Sequence, residues 1–561
     1  MEKERQEINE SNAIACISVH NIQGKDIKDD TVSNMDVITA IPALAKVWNA
    51  GTLKDYFEET TAPLAGVQPT LETALLKEVI EEEVTRLYGA ETGVAARQQL
   101  TAFPVVETGT HLAFPRDYDG PGGGDLRARL NQNVLISAML NASRGYPLHI
   151  GIYGSNVSLK HGCSGGYFQL GDSLFPVATS RVLEKHVLYD AAPLSEEFFG
   201  PAHKLTAKLA LLYHYLKAED ESAGIYKTLE EVLGVHTSKP SAPVIVQKRY
   251  EGLPKKKFLV EKAFQDLNQA VKEKMGVNFS DIDDQYEVLA HFFGTEASLP
   301  DAVAKIQSHE INSILEGVGI RHVSLDICEV SRKFMIRALE NKDSFWYRVF
   351  SNPELFSAFQ KQFQGIRAGW KEHEAPLDSV RKNDNGFCQI RPCLMEGFDS
   401  SPENVAGRLK AKEFIPSSAM MMLVFQSSGV LAHGGFFQTG YAQEIKDRFA
   451  SFLREHHEDV LEKNVQKLDT SMVLLSLACF ANEQGPLKLS DIKKSNLRKG
   501  MLMGIPWESS DCAVRKGLNT LKAYLKLTAP GYVQSKSEGN TPPVLLTRQP
   551  NFVPIKTAER G

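Results

Sequence analysis

The sequence predicts a helix-rich α+β protein whose sheet is mixed or antiparallel. The first observation is a change of hydrophobic period within about 100–194, where segments of period two flank one segment of period 3.6. The second is the series of amphipathic segments that follows from Ser195 onwards. We therefore expect the main sheet in about 100–194 and a smaller set of strands in about 385–440.

The chain has 561 residues, which is long for a single core and favours several domains. We expect a mobile tail at 1–35, which is polar and charged, and an irregular tail at 531–561, which is rich in Pro, Ser and Lys. Between them we predict a mixed α/β half at 36–240 and a mainly helical half at 241–530. The boundary follows from the basic, proline-containing segment near residue 240.

Capping residues predict the ends of several helices. Thr70 fits the N-cap and Gly89 the C-terminal end of one amphipathic helix. Asp125 fits the N-cap of a second helix, which Gly145 ends. Further helices are predicted in later segments, among them 282–294, 298–316 and 328–364.

Alternating polar and apolar residues predict the strands. The short apolar run Phe103–Val106 fits a strand, and so do the segments LHIGIYGSNVSL, GYFQLG and SLFPVA. The apolar run at 419–432 fits either a helix or a strand by its period.

Composition excludes some classes of function. The net charge is −6 and the pI about 6.2, so no basic stripe indicates a nucleic-acid partner. The seven cysteines are scattered, which favours reduced thiols and a cytoplasmic location. The first residues include no apolar segment of the kind found in secretory signals, and the run at 419–432 is too short to span a bilayer. We therefore expect a soluble protein without a membrane partner.

Three glycines precede the predicted helix that begins near Asp125. Gly123 and Gly124 would let the backbone approach a ligand, and the helix N-terminus favours anions. Arg127 and Arg129 follow in the first turn and could bind a phosphate or carboxylate. The alternative is a flexible loop without a ligand, in which Asp125 only caps the helix. The carboxylate of Asp125 favours this alternative, since it would repel an anion.

Ionisable residues are concentrated just before these glycines. Glu107, His111 and Asp117 could act as an acid–base set, with Arg116 as a substrate contact. The same residue types bind divalent metals, and His111 and His149 are the predicted metal ligands. Loop residues of this kind are also commonly solvated without any role in chemistry.

Cys163 lies in the small-residue segment GCSGG, two residues after His161. A histidine this close could help form a thiolate, which would make Cys163 a nucleophile. Cysteine is also among the most buried residue types and is often inert. Cys163 is therefore either a nucleophile or an inert, buried thiol.

A second glycine-rich segment, AHGGFFQTGY, follows the apolar run at 419–432. His433, Gln438 and Tyr441 are predicted to contact substrate there, between aromatic side chains. We expect this segment to face 107–171 across a cleft. The alternative is a helix–loop–helix turn with aromatic core residues.

These patterns favour an enzyme that acts on a small polar or anionic metabolite, by metal-assisted chemistry or by group transfer. The cofactor is unknown, with a divalent metal as the candidate, and the oligomeric state is open. The first alternative is a transferase or hydrolase with Cys163 as its nucleophile. The second is a non-enzymatic helical scaffold or regulatory protein. The predicted catalytic residues are Glu107, His111, Asp117, His161 and Cys163, and the predicted substrate contacts are Arg116, Gly123, Gly124, Arg127, Arg129, His433, Gln438 and Tyr441.

Overall fold

A computed structural model describes the chain in several segments. They are residues 58–59, 61–100, 105–107, 124–155, 167–170, 173–176, 189, 279–363, 370–372, 399–433, 438–470, 481–482 and 485–486.

Helices make up most of these segments. A 3₁₀-helix at Ala62–Gly66 comes first. The α-helices are α1 (Leu71–Tyr88), α2 (Ala90–Gln99), α3 (Gly124–Ser143), α4 (Phe279–Thr295), α5 (Leu299–Leu315), α6 (Ile327–Glu340), α7 (Phe345–Ser351), α8 (Pro353–Gln362), α9 (Pro402–Lys410), α10 (Ser418–Ser427), α11 (Gln438–Glu455) and α12 (Asp459–Lys467).

The strands are short. They are β1 (Val105–Glu107), β2 (Leu148–Tyr153), β3 (Tyr167–Leu170), β4 (Ser173–Pro176), β5 (Arg321–Asp326), β6 (Trp370–Glu372), β7 (Phe414–Pro416), β8 (Ala432–His433), β9 (Ala481–Asn482) and β10 (Gly485–Pro486).

Four of these strands form the main sheet, in the order β5–β2–β1–β8, and every neighbouring pair is parallel. The expectation of a mixed or antiparallel sheet is therefore corrected, although β3–β4, β6–β7 and β9–β10 form separate antiparallel pairs. Parallel neighbours need long crossover connections, and α3 supplies one between β1 and β2. The helix-rich character is confirmed for the described residues, and the small parallel sheet is compatible with an α+β protein.

The main sheet draws its strands from four distant parts of the chain. β1 and β2 come from the predicted sheet region at about 100–194, whereas β5 and β8 come from beyond residue 240. β2 pairs with β5 along its whole length, from Leu148 opposite Arg321 to Tyr153 opposite Asp326. The two halves predicted on either side of residue 240 thus share one sheet.

Caps explain where the predicted helices begin and end. Thr70 accepts a hydrogen bond from the Thr73 N–H at 3.2 Å, and Gly89 has a φ of +93° after the last turn of α1. The predicted helix at 328–364 is instead three helices, α6, α7 and α8. The side chains of Ser344 and Asn352 cap the N-termini of α7 and α8. Each cap begins a new helix, so the predicted single helix is interrupted at these two residues.

The two faces of the main sheet differ in polarity. Ile150 and Ile152 of β2 and Val323 and Leu325 of β5 belong to a large buried apolar cluster that includes residues of α1, α2, α5, α6 and α10. Side chains alternate along a strand, so the opposite face carries His149 and Gly151 with their lateral neighbours in β5.

Helix α3 covers this second face. It packs against β1 and β2, which are the two inner strands, so it must lie over a face and not beside an edge. Its residues Val134–Ala142 are all buried. Within the described residues, none of them belongs to the apolar cluster on the Ile150 face. The interlayer beneath α3 is therefore formed with the histidine-bearing face.

The outer edge of β5 is closed by side chains instead of a further strand. The Asn312 side chain accepts the His322 N–H at 2.7 Å and donates to the His322 carbonyl oxygen at 2.9 Å. One turn earlier on α5, the Ser308 hydroxyl accepts the Ser324 N–H at 2.9 Å, and the Tyr88 hydroxyl donates to the Ser324 carbonyl oxygen at 2.8 Å. The backbone groups that an edge strand normally exposes are thus satisfied.

No helix in the described part of the chain is long and apolar enough to cross a membrane.

We predict that Asn312→Ala destabilises the fold, because two buried backbone groups of His322 lose their partner. Each unsatisfied group costs about 1–3 kcal/mol, so the free energy of unfolding should fall by roughly 2–6 kcal/mol in urea denaturation. Ser313→Ala on the same helix is the control, because within the described residues the Ser313 hydroxyl bonds to the Glu310 carbonyl of α5 and not to β5. A loss in Asn312→Ala no larger than in the control would show that the edge of β5 does not need this cap.

Candidate functional site

The carboxyl edge of the main sheet brings together the starts of both glycine-rich segments. β1 lies between β2 and β8, and Val105 and Val106 pair with Ala432 and His433 in parallel. The connection from β1 to α3 and the connection from β8 to α11 therefore leave the same edge from neighbouring strands. From β1 the chain passes to β2 and then to β5 on one side, whereas β8 lies on the other side of β1. The position between β1 and β8 is therefore the topological switch point of this open parallel sheet.

The predicted site residues fall into three groups. His149 and His433 are fully described. The backbone alone is described for Glu107 in β1, for Gly124, Arg127 and Arg129 in α3, and for Gln438 and Tyr441 in α11. Outside the described residues lie His111, Arg116, Asp117, Gly123, His161 and Cys163.

A pair of buried histidines lies on the polar face of the sheet. His149 in β2 is directly opposite His322 in β5, and their Nδ1 atoms are 2.9 Å apart. The rings stack with centroids 5.1 Å apart and an interplanar angle of 29°. The His322 Nε2 atom lies 2.9 Å from the hydroxyl of Ser324 on the same strand. Both histidines are fully buried.

The hydrogen bonds couple the tautomers of the two rings. If His149 Nδ1–H donates to His322, then the His322 Nε2–H donates to Ser324 and the His149 Nε2 carries a lone pair. If His322 Nδ1–H donates to His149, then Ser324 donates to His322 and the His149 Nε2 carries a proton. In either state both rings are neutral, and the Nε2 of His149 is the atom left to meet another group.

Burial keeps these imidazoles uncharged. It lowers the pKa of His149 well below the ordinary value, and the nearby imidazoles of His322 and His433 lower it further. Burial lowers the pKa of His322 to about 3. His433 is itself buried at the end of β8. His149 and His322 are therefore both uncharged at neutral pH.

The described residues include no group of three or more His, Cys, Asp or Glu side chains arranged to hold a metal ion. His149 was a predicted metal ligand, but its Nδ1 already bonds to His322. The other predicted ligand, His111, lies outside the described residues. Metal binding by His111 and His149 therefore stays a prediction.

An acidic side chain lies at the carboxyl end of β5. Asp326 accepts the Ser155 hydroxyl at 2.6 Å, the Ser155 N–H at 3.2 Å and the Cys328 N–H at 3.0 Å. It thereby caps α6 and ties the chain after β2 to the end of β5. Burial raises the pKa of Asp326 to about 7 despite these hydrogen bonds. A carboxyl group that titrates near neutral pH can give and take a proton.

Four buried polar atoms of α3 and β2 have no hydrogen-bond partner among the described residues. They are Ser137 Oγ, Asn141 Oδ1 and Nδ2, and His149 Nε2. An unsatisfied buried group costs about 1–3 kcal/mol, so these atoms would together cost roughly 4–12 kcal/mol. That is comparable with the whole stability of a typical domain, about 5–15 kcal/mol.

Sequence reasoning missed His322, Ser324, Asp326 and Asn141. The segment RHVSLD alternates polar and apolar residues, which is the pattern of a strand with one polar face. That signal could have placed His322, Ser324 and Asp326 on one face. The sequence holds no comparable signal for Asn141, because one amide in a buried helix has no local pattern.

Comparison with protein-family models, with curated proteins and with solved structures gives no match for this chain. Its own geometry is therefore the basis for assigning a function.

We predict that His322 makes stability fall in mild acid. Its folded pKa of about 3 lies below the unfolded value of 6.5, so the unfolded state binds a proton that the folded state does not. The stability it supports is complete above about pH 6.5 and is lost below it, by about 2 kcal/mol between about pH 7.5 and pH 5. The difference in unfolding free energy between the wild type and His322→Asn should shrink by that amount.

Asn was chosen for this substitution because its side chain can still bond to His149 Nδ1 without titrating. His309→Asn is the control, since the side chain of His309 is 52% exposed. A constant difference between the wild type and His322→Asn across this pH range would contradict a neutral, buried His322.

We predict the opposite trend for Asp326. Its folded pKa of about 7 lies above its unfolded value of 3.8, so the stability it contributes is present at low pH and is lost as pH rises from about 4 to about 7. Asp326→Asn keeps an N-cap but cannot titrate, so the variant should gain stability relative to the wild type over this range. Denaturant titrations at several pH values measure this. Asp399→Asn is the control and should show no such gain, because hydrogen bonds from Ser401 lower the pKa of the exposed Asp399 carboxyl group.

Proposed function

We propose that this chain is an enzyme that acts on a small polar or anionic metabolite, bound at the carboxyl edge of the main sheet between β1 and β8. The observation that carries the proposal is the parallel pairing of these two strands. In open parallel sheets, ligands bind outside the carboxyl ends of the strands at the switch point. Both glycine-rich segments begin there.

Helix α3 supports an anionic ligand. It begins at Gly124, directly after two other glycines, and follows the strand β1 in sequence. The N–H groups of a first helical turn lack partners within the helix and favour anions. Arg127 and Arg129 lie in the first two turns, and guanidinium groups bind phosphate and carboxylate in a bidentate manner.

Asp326 supports chemistry in addition to binding. It lies at the same edge of the sheet, two strands from β1, which is roughly 10 Å at the usual strand spacing. Its raised pKa suits a group that exchanges protons near neutral pH. The hydroxyl of Ser155 holds the carboxyl group in one orientation. Proton transfer or hydrolysis without a redox cofactor would fit this residue.

No observation favours either alternative over this proposal. The nucleophile hypothesis depends on Cys163 and His161, which lie outside the described residues. The scaffold hypothesis does not account for two glycine-rich segments that begin at neighbouring strand ends.

Binding of inorganic phosphate to the full chain tests the proposal by isothermal titration calorimetry at low salt. The variant Arg127→Ala/Arg129→Ala should bind phosphate at least about ten-fold more weakly, since each charge-assisted hydrogen bond contributes about 1.5–3 kcal/mol. Circular dichroism should show the same fold.

The matched control is Arg97→Ala/Arg454→Ala, which makes the same change in net charge at exposed arginines of α2 and α11. It should bind phosphate as the wild type does. Equal weakening in both double variants would reduce the effect to overall charge and overturn the proposed site. Absence of phosphate binding to the wild type would overturn it as well. A panel of phosphorylated and carboxylated metabolites, followed for product formation, then identifies the reaction.

A further inference from the structure

We propose that Tyr189 is a positioning residue for Asp326: its backbone holds Ser155 against the Asp326 carboxyl group, and its ring shields that carboxyl group from water. The role of Asp326 in proton exchange belongs to the proposed function, on which this inference rests. The contacts of Tyr189 themselves involve no ligand, so they can be tested on the protein alone.

Ser155 is held from two sides just after the carboxyl end of β2. Its hydroxyl donates to one carboxyl oxygen of Asp326 at 2.6 Å, and its N–H donates to the other at 3.2 Å. Its carbonyl oxygen accepts the Tyr189 N–H at 2.9 Å. The backbone of Tyr189 therefore fixes Ser155 in the orientation in which it binds Asp326.

The side chain of Tyr189 packs beside the first residues of α6, which directly follow Asp326. Tyr189 is 2% exposed and belongs to a small buried cluster with Cys328, Ile415 and Met421, against which Ile327 packs. Three elements, α6, β7 and α10, thus contribute apolar contacts where α6 leaves β5. Asp326 itself remains 9% exposed, so the cluster restricts access to its carboxyl group without closing it off.

Lys412 lies over the ring of Tyr189 from the turn between α9 and β7. Its Nζ atom is 5.9 Å from the ring centroid, within the range of a cation–π contact. The turn is a Schellman motif, in which Lys412 has a φ of +56° and its N–H bonds to the Leu409 carbonyl at 3.1 Å. Glycine is the usual residue at such a position. A lysine there is consistent with a use for its side chain at Tyr189.

Exclusion of water is what gives Asp326 its affinity for a proton. Burial raises the pKa of Asp326 to about 7 against hydrogen bonds from Ser155 and Cys328, and the carboxylate of Glu329 raises it too. The other ionisable groups around Asp326 and Tyr189 are Tyr153 of β2, Arg332 of α6 and Lys412. Loss of the Tyr189 ring would admit water and lower the pKa of Asp326 towards its ordinary value of 3.8.

A ¹³C NMR titration of the aspartate carboxyl groups in the full-length protein tests this role. The resonance that is missing from Asp326→Asn identifies Asp326. In Tyr189→Ala, the pKa of Asp326 should fall by at least about one pH unit, because water reaches the carboxylate and stabilises it. In Tyr189→Phe, the pKa should stay near that of the wild type, because the ring and the backbone N–H remain.

Phe363→Ala is the matched control, because it removes another buried aromatic ring, 3% exposed, that packs against Phe359 and Phe449. It should leave the pKa of Asp326 unchanged. An unchanged pKa in Tyr189→Ala would overturn the proposal. A fall of equal size in Phe363→Ala would also overturn it, because general loosening of the fold would then be the cause. So would an equal fall in Tyr189→Phe, because the ring would then not be the shield.

Tyr189→Val decides the matter if Tyr189→Ala does not fold. It keeps the backbone N–H and an apolar side chain but loses the ring, so the pKa of Asp326 should again fall, and an unchanged value would overturn the proposal. Phosphate binding is measured separately, on the arginine variants of α3. Loss of the phosphate site with the Asp326 titration as expected would overturn the proposed function alone, so the two can fail independently.

Discussion

The register between β2 and β5 is the constraint on which the rest of the structure depends. It sets His149 opposite His322, Gly151 opposite Ser324 and Tyr153 opposite Asp326. A slip of one residue would turn every side chain of β2 to the other face. His149 would then enter the apolar cluster, and Ile150 and Ile152 would face α3. The burial of both faces therefore fixes the register, because each face accepts only one set of side chains.

The edge of β5 reinforces that register from outside the sheet. Asn312 and Ser308 are one helical turn apart on α5, which matches the spacing of His322 and Ser324 along the strand. The helix can satisfy these backbone groups in only one axial position. At the far end of the strand, Asp326 binds the Ser155 hydroxyl and begins α6. Side-chain hydrogen bonds thus help to align α5, α6 and the chain after β2 to β5.

Burial pushes the acid and the bases of this sheet towards their neutral forms. It raises the pKa of Asp326 and lowers that of His149 and His322, as expected where water is excluded. At the carboxyl end of β5 the pKa of Asp326 lies near neutral pH, whereas His149 and His322 on the polar face of the sheet stay uncharged there.

Local patterns in the sequence were sufficient for single elements. Thr70 and Gly89 set the ends of α1, Ser298 caps α5 as the predicted helix at 298–316 requires, and the period of LHIGIY predicted β2. Capping and periodicity depend on residues a few positions apart, so the chain itself carries this information.

Only the tertiary structure decided which strands pair and in which direction. The sequence favoured a sheet built within about 100–194, yet β5 and β8 complete it from far along the chain. The sequence alone gave no partner for His149, because His322 is 173 residues away along the chain. The sequence predicted a site between the two glycine-rich segments, and that site stays a prediction. Strand pairing is a long-range choice that depends on which faces can be buried together, and no local pattern encodes it.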